Sequence, residues 1–382
     1  MLLFLGAGAS CPFGIPTMSG FLKLFDEEIG DSPLYREIRK TFGDDCDLEV
    51  VMTVIEDLSK PSQEFFRALS PQTSVFLLQR ERKEADNYAT EETKKREATE
   101  LLARLKAIIR RECIEASVKD SRIVEVYNDF FTFLHLEERK MTSGTNWGST
   151  QIGRVDEVFP TELKVFTTNY DTCLEVYFNR REIDYCRGIV NRSGEDVLDV
   201  DSYASYQTSP NVKIYKLHGS IDLFQKRGKI RQFKAPGTGK TFLGDEYGEE
   251  SMRWPIEFGG YRHVIESPYL DLFRLLRDAA KADRWWIIIG FSFRDRTICS
   301  ILNDVLGMKT QRDRPNALLL CTQTEPIVKR LREWDYPALA DTVYPVEAEF
   351  GNKDLSAKLH EAFVSRGYIK EPSDYVGVEK RP

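Results

Sequence analysis

The sequence predicts an α/β fold of the doubly wound kind, a parallel sheet with helices on both faces. Two observations carry this. Five short apolar runs, Leu2 to Leu5, Leu163 to Thr167, Val212 to Leu217, Trp285 to Ile289 and Ala317 to Cys321, lack the period-two alternation of a half-exposed strand. Each is followed by turn residues and then by helical spacing. A strand buried on both faces needs apolar side chains along its whole length, and strands alternating with helices are the order that makes neighbours parallel. The Val, Ile and aromatic content of the runs favours strand over buried helix.

Taken in order, the first run leads into Gly6-Ala7-Gly8-Ala9-Ser10 and then Gly14-Ile15-Pro16-Thr17. Glycines after a strand let the backbone approach a pyrophosphate, and Ser10 can add a hydroxyl donor; a plain tight turn is the alternative. Cys11 stands where the GxGxxG fingerprint needs its third glycine to follow on, which counts against a hydride-transferring dinucleotide enzyme. The stripe Val51, Val54, Ile55, Leu58 has helical spacing and is expected to be core.

More than 150 residues separate the first two runs, far beyond one crossover helix. Residues 61–141, rich in Glu, Lys, Arg, Ala and Leu, are expected to form an inserted helical subdomain, and 142–159 a connecting loop. Residues 1–60 and 160–382 would then make a Rossmann-like core. A Gly- and Lys-rich stretch from Gly228 to Glu250 is expected to be a flexible loop near the site.

The second, third and fourth runs end in polar clusters: Thr168-Asn169-Tyr170-Asp171, His218-Gly219-Ser220, and Gly290-Phe291-Ser292-Phe293-Arg294-Asp295. In an open parallel sheet the ligand crevice lies outside the carboxyl ends of the strands, so these clusters are expected to converge on one cleft. Of the four histidines, His218 alone has a strand-end setting, unlike His135, His263 and His360.

Composition narrows the function. A net charge of −7 argues against direct nucleic-acid binding, which needs clustered cations to displace counterions. The densest basic run, Lys94-Lys95-Arg96, is flanked by glutamates and suits a solvated helix face. No stretch approaches the ~20 apolar residues of a membrane span, and the leading apolar run stops at Gly6, too soon for a signal-peptide core. A cytoplasmic protein is expected. The seven scattered cysteines include no CxxC pair, which fits reduced thiols and no metal site.

GAGAS with GIP, TTNYD and KLHGS, in that order and each after an apolar strand, resemble the GAGxS, TxNxD and HG motifs of the SIR2 superfamily. GFSFRD after WWIII is similar to an element that the prokaryotic SIR2-like branch carries near the adenosine ribose of NAD. Two departures matter: the two CxxC pairs of zinc-type deacylases are missing, and Thr17-Met18 follow GIP in place of an acidic residue and an FR pair. The resemblance therefore implies the NAD-cleaving effectors of bacterial antiphage defence and not a lysine deacylase.

On that resemblance NAD is the substrate and no metal is needed. Asn169 and His218 are the implied catalytic residues. Nicotinamide leaves as a neutral pyridine through an oxocarbenium-like transition state, so the enzyme has to orient the ribose and supply an oxygen nucleophile. Asn169 can hold a water or ribose hydroxyl without charge, and a histidine can accept a proton near neutral pH. Gly6, Ala7, Gly8, Ser10, Thr168, Asp171, Gly290, Ser292 and Asp295 are the implied NAD-binding set. Asp171 either orients that network or caps the following helix. Ser292 and Asp295 either contact the remote ribose or act as a turn residue and a helix N-cap.

A silent NAD or ADP-ribose sensor and an ADP-ribosyl transferase are the competing functions. Unrestrained NAD hydrolysis would empty the cofactor pool, so external gating is expected. The core, the insertion and a final strand and helix within Asp341 to Tyr368 account for nearly the whole chain, which would leave the sensor on a separate one. The resemblance implies a HerA-type helicase ATPase as that partner and a homo-oligomer for this chain.

Overall fold

The computed structural model describes residues 1–43, 46–59, 73–77, 91–117, 119–142, 162–205, 212–226, 229–232, 268–283, 285–309, 316–321 and 324–365. In chain order the strands are β1 (Leu2–Leu5), β2 (Leu163–Thr167), β3 (Tyr185–Cys186), β4 (Ile189–Arg192), β5 (Glu195–Leu198), β6 (Val212–Lys216), β7 (Leu223–Lys226), β8 (Lys229–Gln232), β9 (Trp285–Ile289), β10 (Asn316–Cys321) and β11 (Val343–Glu347). The helices are α1 (Met18–Ile29), α2 (Pro33–Phe42), α3 (Leu48–Ser59), α4 (Glu91–Ser117), α5 (Asp120–Thr142), α6 (Cys173–Arg180), α7 (Ser202–Ser205), α8 (Tyr269–Ala282), α9 (Arg296–Gly307), α10 (Glu325–Glu333), α11 (Pro337–Thr342) and α12 (Leu355–Ser365).

A seven-stranded sheet in the order β11-β10-β9-β1-β2-β6-β3 is parallel throughout. All five apolar runs are strands in it. Their alternate side chains enter two cores, which is why both parities are apolar. Leu3, Leu5, Val165, Ile214 and Ile287 pack under α1 to α6 and α12. Leu2, Phe4, Phe166, Trp286 and Ile288 pack under α8 to α11. The doubly wound α/β architecture is thus the observed one.

From β1 the chain winds outward through β2 and β6, then returns to β9 and winds the other way through β10 and β11. The β1/β9 pair is therefore the topological switch point, and a crevice opens at its carboxyl end.

The structure adds three points to the sequence expectation. The long helices α4 and α5 do not enclose a core of their own among the described residues. Leu105, Ile109, Tyr127 and Phe131 belong to the same buried cluster as Leu3 and Val165. Tyr127 lies 5.2 Å from Phe13 and stacks 5.7 Å from Phe131, which in turn stacks 5.2 Å from Tyr177 of α6. The segment read as an insertion thus supplies one helical layer of the sheet. Second, the stretch read as a loop from Gly228 begins with β8, part of a small antiparallel sheet β4-β5-β8-β7. Third, β3 and that small sheet have no counterpart in the expected elements. The rest of the Gly- and Lys-rich stretch, residues 143–159 of the connecting loop, 61–72, 78–90 and 118 of the helical segment, His263 and residues 366–368 lie outside the described residues.

Helix starts follow ordinary capping. Thr17 accepts from Gly20 N at the start of α1, and Ser32 accepts from Tyr35 N ahead of Pro33 in α2. Asp295 caps α9, with consequences for the site.

Candidate functional site

The glycines of the first loop are required by contact between two backbones. Gly6 N donates to Ile289 O at 2.8 Å and Gly8 N to Gly290 O at 2.9 Å, extending the β1/β9 pairing past the strands. A Cβ on Gly6 would fall 2.6 Å from Phe291 Cα, and one on Gly8 2.7 Å from Gly290 Cα. The close approach that demands glycine is between the loop after β1 and the loop after β9, where the sequence reading placed a pyrophosphate. The two loops form one hydrogen-bonded floor.

A cleft of about 680 Å³ opens on this floor at the carboxyl ends of β1, β2, β6 and β9. Its size is within the ~300–1,000 Å³ usual for small-molecule sites. Ala7, Gly8, Ser10, Thr168, Asn169, Asp171, His218, Gly290, Ser292 and Asp295 line it. Gly6 does not; it is buried beneath.

Ser10 is 1% exposed, and its hydroxyl donates to Asp171 Oδ2 at 2.6 Å while accepting from Asn169 Nδ2 at 2.8 Å. The hydroxyl thus bridges Asp171 and Asn169 at the edge of the cleft. Asn169 Nδ2 also donates to Gly6 O at 2.9 Å. Both donations fix the Asn169 side chain at the edge of the cleft. Asp171 Oδ2 accepts from Ser10, and its Oδ1 accepts from Cys173 N at 3.0 Å, the residue after Thr172 at the N-cap of α6. Thr168 extends the ladder by donating its N–H to Leu5 O at 3.2 Å.

A buried charge network supports this loop from below. Lys216, at the end of β6, donates from Nζ to the carbonyls of Asp171 and of Asn169, the latter at 3.4 Å, and lies 3.4 Å from Glu175 Oε1. Glu175 is also 3.1 Å from Arg187 Nε, a charge contact without hydrogen-bond alignment. Arg187 forks onto Asp222 at 2.6 and 3.1 Å. Burial opposes the charge on Arg187, but Asp222 and Glu175 outweigh it and hold the guanidinium well above its ordinary pKa. Two cations and two anions balance, as buried charges must.

His218 Nε2 lies 3.0 Å from Asp295 Oδ2, with the two side chains 18% and 14% exposed. Asp295 Oδ1 accepts from Ile298 N at 3.0 Å as the α9 cap. Burial pushes the Asp295 carboxyl up, but its hydrogen bond and charge interaction with His218, with the N–H groups of Ile298 and Thr297, bring it below the ordinary carboxylate range. Ser292 presents its backbone carbonyl to Arg330 Nη1 at 2.7 Å.

Several lining residues escaped the sequence reading. Arg122 of α5 and Cys113 of α4 come from the segment read as an insertion, and Arg330 from α10. Nothing in their local sequence marks them, because only the packing of α4, α5 and α10 on the sheet brings them to the cleft. Among the described residues no group of three His, Cys, Asp or Glu is placed to hold a metal ion, and no helix is long and apolar enough to cross a membrane.

Residues 163–338 match the family model of the SIR2-like domain. The SIR2-like stretch runs from β2 into α11 and contains Asn169, Asp171, His218 and the whole Gly290 to Asp295 loop. The glycine loop after β1 precedes it and joins it through the Gly6 and Gly8 hydrogen bonds. No curated protein matches the chain.

Proposed function

We propose that this protein is an NAD glycohydrolase that cleaves the nicotinamide–ribose bond to give nicotinamide and ADP-ribose. One observation carries the reading: Asn169 and His218, both within the SIR2-like stretch, line one cleft at the switch point of a doubly wound sheet. The C–N bond breaks with its electron pair going to the pyridine, which leaves neutral. Positive charge then develops on the ribose carbon, where a water oxygen attacks. Asn169 orients that water or the ribose hydroxyls, and His218 takes the proton released.

The polar side chains at the strand ends, set in a mainly apolar cleft, suit such a reaction, because the protein has mainly to hold groups in place and exclude alternatives. The motif resemblance further supports a role in antiphage defence, with a HerA-type ATPase and self-assembly as the gate. Free nicotinamide, measured for the protein alone and with such a partner, tests both parts. Asn169→Ala and His218→Ala should each lower turnover by at least the ~10²-fold typical of a positioned acid–base or orienting group, with the fold retained. A folded variant with near-normal turnover would remove that residue's role. ADP-ribose found on a protein or nucleotide in place of water would make the chain a transferase.

A further inference from the structure

We infer that Arg330 of α10 and Arg294 of the loop after β9 are the phosphate-binding element of the cleft, and that their guanidinium groups take the pyrophosphate of the dinucleotide. The inference rests on the proposed function for the identity of the ligand, while the two cations stand in the cleft whatever the reaction.

NAD carries two negative charges on its pyrophosphate, and a bound anion has to be met by backbone N–H groups, by a helix N-terminus or by cationic side chains. The first two are largely engaged within this protein. Of the five residues Gly6 to Ser10, four donate their N–H groups to protein carbonyls: Gly6 to Ile289 O, Gly8 to Gly290 O, Ala9 to Gly6 O and Ser10 to Ala7 O. Three helix starts at this end of the sheet carry carboxylates of their own. Asp295 accepts from Ile298 N in α9 and Asp47 from Val50 N in α3, each at 3.0 Å, and Asp171 accepts from Cys173 N, the first residue of α6. A carboxylate seated on a helix N-terminus uses the partial positive charge that a phosphate would otherwise meet there.

Cationic side chains remain. Arg330 and Arg294 both line the cleft. Arg330 is partly buried, and its Nη1 donates to Ser292 O at 2.7 Å, so its guanidinium lies against the loop two residues before Arg294. The Trp334 ring centre is 5.8 Å from Arg330 Cζ. A carbonyl and an aromatic ring thus hold this cation, and among the described residues it forms no ion pair. Arg294 is exposed and reaches Asp47 Oδ2 at 3.3 Å from Nη1, which uses one of the five N–H donors of a guanidinium. The two arginines are also close enough to repel. Burial lowers the Arg330 pKa below the ordinary guanidinium value, and the charge of Arg294 lowers it further. An anion seated beside both relieves that repulsion, and the planar fork of a guanidinium matches phosphate oxygens two at a time.

Arg330→Gln and Arg294→Gln each keep an N–H₂ donor, for Ser292 O and for Asp47, while removing the charge. Calorimetry with ADP-ribose, which is not turned over, reads binding directly. Each variant is expected to weaken ADP-ribose binding about tenfold or more, the scale of a lost charge-assisted contact, and Arg330→Lys to recover part of it. The loss should be larger at low salt than at high salt, because what is lost is charge. With NAD, KM should rise while kcat changes less than about threefold, since the pyrophosphate is held alike in the ground and transition states. No binding of ADP-ribose by the wild type, unchanged binding in either variant, a loss equal at low and high salt, or a loss confined to ADP-ribose bearing an added 2′-phosphate would overturn the inference. Wild-type protein that binds ADP-ribose through these arginines yet releases no nicotinamide from NAD would instead refute the proposed reaction and leave the site intact.

Discussion

Replacing Gly290 with alanine tests whether the floor of the cleft is set by contact between two loops. Gly290 has φ +62°, and a Cβ there would stand 2.3 Å from Ala9 N and 2.4 Å from Gly8 C. Ordinary contact begins at 3.4 Å, so the Gly8-Ala9 backbone would have to retreat by 3.4 − 2.3, or about 1 Å. The left-handed conformation costs a non-glycine residue about 1–2 kcal/mol, and forcing extra volume into a packed site about 1–3 kcal/mol. The expected destabilisation is therefore about 2–5 kcal/mol, a large share of the ~5–15 kcal/mol by which a native protein is stable. Gly194, in the turn between β4 and β5, supplies the control. Its φ is +86° and nothing lies within 4 Å of its would-be Cβ, so Gly194→Ala carries only the conformational cost. The floor also carries Ser10 and through it Asn169, and a ~1 Å misplacement of an orienting group can cost ~10²-fold in rate. Urea midpoints of both variants, with nicotinamide release at saturating NAD, are the assays. A Gly290→Ala midpoint as high as that of Gly194→Ala, with full turnover, would refute the reasoning.

Two further predictions concern charge. Asp222→Ala leaves Arg187 buried without its bidentate partner, and breaking a buried pair on one side costs about 3–5 kcal/mol; a denaturation midpoint indistinguishable from wild type would show that the network is solvated. Burial pushes the Glu162 carboxyl up, but Lys213, with Lys164, outweighs it and holds the group below its ordinary range. A depressed carboxylate pKa contributes stability that is fully present above the unfolded value, near 4.3, and is lost as pH falls through the lower folded value. The stability difference between wild type and Glu162→Gln should thus be constant from neutral pH down to about 5 and shrink below about 4; a difference that grows in acid contradicts the sign.

What the sequence made legible follows from how local each signal is. The runs at β1, β2 and β9 are readable to the residue because a strand covered on both faces is apolar over most of its length, Lys164 and Thr167 of β2 being the exceptions. The small sheet is not, since β4 and β5 are four residues each and mostly half-exposed or exposed. Helicity of α4 and α5 is written in their composition, but the surface they cover is set by packing with α3, α6 and the sheet. Asn169 and His218 were legible as polar residues at strand ends. Their supports were not: Asp295 reads as a cap, which it is, and its pairing with a histidine 77 positions away needs the fold. Lys216 reads as a strand residue until β2 and β6 stand side by side. The glycines were legible as a constraint, though the backbone they admit is the protein's own.

The most direct test of the central claim is hydrolysis of NAD in water enriched in oxygen-18. The account predicts one nicotinamide released per NAD consumed and one labelled oxygen on the ribose of the resulting ADP-ribose, with both lost in His218→Ala. Nicotinamide release no greater than that of His218→Ala, for the protein alone and in its assembly with a HerA-type ATPase, would contradict it.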